Sequence, residues 1–207
     1  MRALVVAAAL MLVPAAPSFA AVSVNIGFSL PAYPQMVPVP GYPVYYAPSV
    51  NSNYFFYDGA YWVFNGDGWY QSRWYNGPWT PVDPLAVPIY LLQVPVRYYH
   101  HPPVWFHGWA SNEAPHWHEH WGPTWYNNRH DWDHVHHEWN RPHWDNHSMP
   151  ARAPLPSYQR NYSGNRYPMD EHRQAQVHAQ NYHYQQHAQH EAQHVEQRHE
   201  NHEHEHR

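Results

Sequence analysis

The sequence predicts a small all-β antiparallel meander rich in aromatic residues, followed by a Trp/His-rich helical segment and a C-terminal polar helix, with the remaining chain Pro-rich and irregular. Three observations carry this. Over residues 54–83, aromatic runs alternate with turn sequences. Between Trp117 and Trp139, tryptophan recurs at helical spacing. From Asp170 to the end there is neither Gly nor Pro, and Gln, Ala, Glu and His dominate.

Taken in order, residues 1–20 read as a secretory signal peptide of a bacterial protein. Arg2 supplies the positive region and Ala3 to Val13 the apolar run, which Pro14 and Pro17 break. Ser18-Phe19-Ala20 puts small residues at −3 and −1, so cleavage is expected after Ala20. The run is shorter than the roughly 20 apolar residues of a permanent anchor. No cysteine follows it, which excludes a lipoprotein anchor. The expectation is an exported protein, in the periplasm or at the cell surface, with no transmembrane span after signal cleavage.

Residues 21–44 form a Pro-rich extended lead-in. Pro31, Pro34, Pro38, Pro40 and Pro43 favour polyproline II or edge-strand geometry over a helix or a central strand. A solvated linker and a strand docked along the next module's edge both fit.

The aromatic β module spans residues 45–107. Tyr54-Phe55-Phe56-Tyr57 precedes Asp58-Gly59, a strong hairpin turn. Ala60 to Phe64 form the next strand, Asn65-Gly66-Asp67-Gly68 the next turn, and Trp69 to Tyr75 a third strand closed by Asn76-Gly77-Pro78. Aromatic cross-strand pairs can hold three or four such strands where a lone hairpin would fail. Leu85 to Val96 is apolar but carries Pro88 and Pro95, and is expected to lie over one face of the meander as an edge strand.

Several segments carry a resemblance. Tyr45-Tyr46-Ala47-Pro48, Asn53-Tyr54-Phe55-Phe56-Tyr57-Asp58-Gly59, Trp74-Tyr75-Asn76-Gly77-Pro78-Trp79 and Val94-Pro95-Val96-Arg97-Tyr98-Tyr99 resemble a family of uncharacterised exported proteobacterial proteins. Pro154-Leu155-Pro156, Tyr158-Gln159-Arg160 and Tyr162-Ser163-Gly164 resemble it too. The resemblance implies an envelope location and a shared β module. It implies no activity and transfers no functional residues. Arg- and Gln-rich C-terminal halves are expected of such relatives, whereas this chain has His there.

Residues 108–147 combine Trp and His. Trp117, Trp121, Trp125, Trp132 and Trp139 would fall within an arc of about 80° on a helix. Pro123 interrupts them, so a short turn at 116–121 and a helix over about 124–140 are expected, with the Trp stripe packed on the β module. Residues 148–168, rich in Pro, Arg, Ser and Tyr, read as a linker. Residues 169–207 read as a His-rich helical or disordered tail, polar nearly all round.

Composition narrows the function. There is no cysteine, so thiol catalysis, disulfides and iron–sulfur clusters are excluded. The net charge is −5 and there is no basic stripe, which argues against nucleic acid as a partner. No Gly-rich phosphate loop or Gly-x-Ser-x-Gly elbow is present, and no enzyme is expected.

The 22 histidines all lie from His100 onward. His183, His187, His190 and His194 are spaced 4, 3 and 4 and would share a helix face about 60° wide. His199, His202 and His206 form a second stripe. His130, His134 and His137 repeat the arrangement beside Asp131 and Glu138, and His116 and His120 flank Trp117. Imidazoles with occasional carboxylates suit divalent Zn, Ni or Cu. No closed ligand set appears, so several exchangeable sites are expected and no cofactor is required.

The expected function is therefore that of an exported non-enzymatic envelope protein binding divalent transition metals through its histidines. The alternative is an aromatic module that binds cell-wall glycan or a protein partner, with Trp62, Trp69, Trp74 and Trp79 as the platform and the tail a solvated extension. Buried rings would deprive that alternative of its surface.

Overall fold

Asp58 and Gly59 both adopt positive φ (49° and 79°), as do Gly66 and Asp67 (54° and 69°). Two-residue turns of that hand match the twist of the strands they join. They organise a sheet in the computed structural model, which describes residues 23–27, 29–132 and 150–184. Its strands are β1 (Val37–Pro38), β2 (Tyr45–Tyr46), β3 (Asn53–Tyr57), β4 (Ala60–Asn65), β5 (Gly68–Ser72) and β6 (Thr80–Val82). They lie side by side in sequence order and every pair is antiparallel, so the meander is as predicted. The lead-in takes part in it. β1 pairs with β2, and Val24 donates its N–H to the Trp79 carbonyl at 2.8 Å beyond the other edge.

Both faces of this sheet are buried. Side chains alternate across a strand, yet in β3 and β4 each parity is apolar. Phe55, Trp62 and Phe64 face one core; Tyr54, Phe56, Tyr61 and Val63 face the other. Chain 85–132 covers the first. Parts of the lead-in and residues 153–184 cover the second.

The cover over the first face differs from expectation. Residues 85–96 make no edge strand: α1 (Ile89–Leu92) is a single helical turn, followed by a 3-10 turn at Val96–Tyr98. Prolines at 88 and 95 cannot donate to a ladder, but the Pro88 carbonyl accepts from Leu91 N at 3.0 Å to start the turn. The segment still lies on the sheet, with Leu91 and Leu92 fully buried.

In α2 (Trp117–Asn128) the break falls at Gly122, whose φ and ψ are 80° and 179°, just before Pro123. The expected helix over 124–140 is interrupted at Arg129, with φ −100° and ψ 80°, and helical backbone resumes at 130–132. The interruption has a cause. Arg129 is 5% exposed and its Nη1 donates to the carbonyls of Pro84, Leu85 and Val87 at 3.2, 3.2 and 2.6 Å. Trp117, Trp125 and Trp132 are buried on the sheet and Trp121 half-buried, so the Trp stripe packs as expected; Trp139 lies outside the described residues.

The second cover includes most of the stretch read as a linker, residues 150–168. They form 3-10 turns at Ser157–Asn161 and Gly164–Arg166, bury Ala153 and Tyr167, and bury Gln159 completely. α3 (Glu171–Asn181) follows, capped by Asp170, whose carboxylate accepts from Arg173 N at 2.7 Å. It docks with little apolar surface because its inward residue, Gln174, is satisfied. Gln174 Nε2 donates to the Pro168 carbonyl at 2.6 Å, and its own carbonyl accepts from Trp74 Nε1 at 3.2 Å. Among the described residues no helix is long and apolar enough to cross a membrane.

Candidate functional site

Ten of the histidines lie within the described residues, and none is buried. His100, His101, His107, His118, His130, His172 and His183 are exposed; His116, His120 and His178 are half-buried. Of the predicted ligands, His134, His137, His187, His190, His194, His199, His202 and His206 fall outside the described residues.

His116, the N-cap of α2, and His120, in its first turn, engage different partners. His116 stacks on Trp109 at 4.6 Å and 24°, with Nδ1 3.0 Å from Glu119 Oε1. His120 lies parallel to Trp105, 3.7 Å away at 2°, with Nε2 2.7 Å from an Asp67 carboxylate oxygen in the β4–β5 turn. Each ring therefore has an aromatic face on one side and a carboxylate at its edge, an arrangement that fixes orientation. His118 Nε2 is 3.9 Å from the same Glu119 oxygen. Among the described residues no three His, Asp or Glu side chains form a group able to hold a metal ion. His130 is exposed beyond Arg129. His183 is exposed between Tyr182 and Tyr184, whose rings pack against Gly59 so closely that a Cβ there would sit 3.2 and 3.3 Å from them.

The sequence carries a further metal-type spacing in the same tail. His190-Glu191-Ala192-Gln193-His194 and His202-Glu203-His204-Glu205-His206 both follow the His-Glu-x-x-His pattern, which puts two imidazoles on one helix face with a carboxylate beside them. Twelve of the 23 residues from Gln185 to Arg207 are His or Glu, so composition alone generates it. Both stretches lie outside the described residues.

His178 was not among the expected ligands, yet among the described histidines of the tail it is the most structurally engaged. Its Nδ1 is 2.8 Å from the Tyr158 hydroxyl, which also accepts from Gln159 Nε2 at 3.1 Å. The Tyr158 hydroxyl donates to Nδ1 or accepts from it according to the imidazole tautomer, and in either case fixes the ring's orientation. Partial burial, then the nearby Arg73 charge, holds the ring's pKa below its ordinary 6.5. The signal was the spacing of Gln174, Val177 and His178, which places them on one side of α3.

His178 also borders a half-open cleft of about 420 Å³ between α3, the β3–β4 turn and the chain leaving β5. The candidate glycan platform is not exposed. Trp62, Trp69, Trp74 and Trp79 are 4, 1, 2 and 3% accessible and sit inside the two cores. No protein-family model, curated protein or solved structure matches the chain.

Proposed function

We propose that this is an exported, non-catalytic cell-envelope protein that binds divalent Zn, Ni or Cu ions through surface histidines, with the aromatic body as its anchor. The resemblance to exported proteobacterial proteins is part of the same proposal. The observation that supports it most is the placement of all ten described histidines outside the cores. The packing is done by Trp, Tyr and Phe, and the imidazoles are left for other work. Their sequence spacing at 3 and 4 in residues 183–206 supplies the multidentate pattern.

Calorimetric titration of the mature chain with each metal near neutral pH tests this, beside a chain ending at Tyr184. Micromolar or tighter binding that falls at least tenfold on truncation is expected. Affinities no better than millimolar for all three ions, or unchanged by truncation, would sink the proposal. Metal-dependent hydrolysis of a peptide substrate, lost on Glu191→Gln or Glu203→Gln, would replace it with an enzymatic reading.

A further inference from the structure

We infer that the cleft beside His178 is a binding site for a small zwitterion with an apolar body, of the class of free amino acids and dipeptides. The inference stands apart from the metal proposal, because only one histidine borders the cleft. Its volume of about 420 Å³ lies within the range of small-ligand sites. Three separate stretches of chain build it: the Asp58-Gly59 turn, the β5 end with the loop to β6, and the first two turns of α3.

The lining has a definite chemical order. Pro78 and Ala175 supply accessible apolar surface for a ligand body, over the buried Ala60 and Trp74. Arg73 supplies one cation, and Asp58 and Glu171 supply two carboxylates. Asp58 already bonds the Tyr184 hydroxyl, which leaves Glu171 as the more available acid. His178 is held by Tyr158 through Nδ1, and partial burial keeps its pKa below the ordinary 6.5. A dianion such as phosphate would meet more negative than positive charge, and a simple cation would bring no counter-charge to Arg73. A molecule carrying both charges satisfies each wall: its carboxylate on Arg73, its ammonium on Glu171.

The test is a calorimetric and NMR titration of the full chain, at neutral pH, with alanyl-alanine and with its charge-blocked form, N-acetyl-alanyl-alanine amide. Arg73, Glu171 and Ala175 are exposed, so substitutions there leave the cores intact. Alanyl-alanine should bind saturably, and Arg73→Gln and Glu171→Gln should each weaken it roughly tenfold. Ala175→Trp, which fills the cleft, should abolish binding while circular dichroism stays unchanged. Equal binding of the blocked dipeptide, undiminished binding to Ala175→Trp, or no saturable binding of the zwitterion would overturn the inference. Metal titration of the same variants separates the two proposals, since none of these substitutions removes a histidine.

Discussion

Gln159 stands where a neighbouring strand would be for Tyr75: its Oε1 accepts the Tyr75 backbone N–H at 3.1 Å. The same amide donates through Nε2 to the Arg73 carbonyl at 2.8 Å, and the side chain is completely buried. A glutamine from residues 150–168 thus satisfies the loop that follows β5. Gln159→Leu would leave the buried Tyr75 N–H and the part-buried Arg73 C=O without this partner, at a cost of about 1–3 kcal/mol. Urea unfolding should show a lower midpoint at constant slope. An unchanged midpoint would mean that water reaches both groups.

Arg129 should tolerate no conservative replacement. Its Nη1 gathers three carbonyls, and its Nε and Nη2 form a fork on Asp131 at 3.0 and 2.7 Å. Lysine offers one compact ammonium in place of that planar fork. Arg129→Lys is expected to cost about 2 kcal/mol or more, because buried carbonyls lose a charged donor. Asp131 is 47% exposed, so Asp131→Asn should cost under about 1 kcal/mol. Equal losses in the two variants would contradict the assignment of the carbonyls as the main partners.

Acid should loosen the docking of α3 through His178. Burial and Arg73 depress its folded-state pKa, so the unfolded chain binds the proton more readily. The groups facing the ring are Arg73, the Tyr158 hydroxyl and the Tyr182 ring. The associated stability is complete above the ordinary value of 6.5 and declines as pH falls below it. Thermal melts between about pH 8 and pH 5 should show a drop in Tm that is smaller in His178→Gln. The reading fails if wild type and variant have parallel profiles. A body without histidine before residue 100 would be expected to ignore pH over this range; the seating of His178 on its second face removes that indifference.

Alkaline stability has the opposite sign. Burial raises the hydroxyl pKa of Tyr54, Tyr61 and Tyr99 well above 10.0, and pushes Tyr42, Tyr158 and Tyr184 up to about 12. Stability from these groups is whole below 10.0 and is lost as pH rises toward and past their folded values. A spectrophotometric titration should therefore show these six rings ionising only above pH 10.0, together with loss of near-ultraviolet circular dichroism. One smooth transition with no structural change would count against burial of these rings.

The length of the C-terminal cover should matter more than its polarity suggests. A chain ending at Pro168 loses the carbonyl of Gln174 that accepts the Trp74 indole N–H, together with the Tyr182 hydroxyl bond to the Pro154 carbonyl at 2.7 Å. It should melt several degrees below a chain ending at Tyr184. Coincident melts would show that α3 adds nothing to the body.

Much of this protein is determined by local sequence. Asp58-Gly59 and Gly66-Asp67 set two tight turns, the aromatic runs between them set three strands, and Pro123 sets the break in the Trp helix. Such features depend on backbone sterics and on periods of two and 3.6 residues. Other features were decided only in three dimensions. Tyr54-Phe55-Phe56-Tyr57 is apolar on both parities, which demands a second cover without saying what supplies it. The supplier is a stretch rich in Pro, Arg and Ser and a polar helix, which dock through Gln159, Gln174 and Tyr167. Local composition reads those residues as soluble, because a glutamine is costly to bury until its partners are present. The partners, backbone groups of Arg73, Tyr75 and Gly77, lie 84 to 97 residues away along the chain. The segment from Leu85 to Val96 went the other way, with β-forming residues folded into a helical turn by two flanking prolines. The histidine spacing is legible in the sequence, while the turning of His116 and His120 toward Glu119 and Asp67 follows from where Trp109 and Trp105 sit. Tertiary structure also gave His178 its place, because a half-buried imidazole is defined by the tyrosine that holds it.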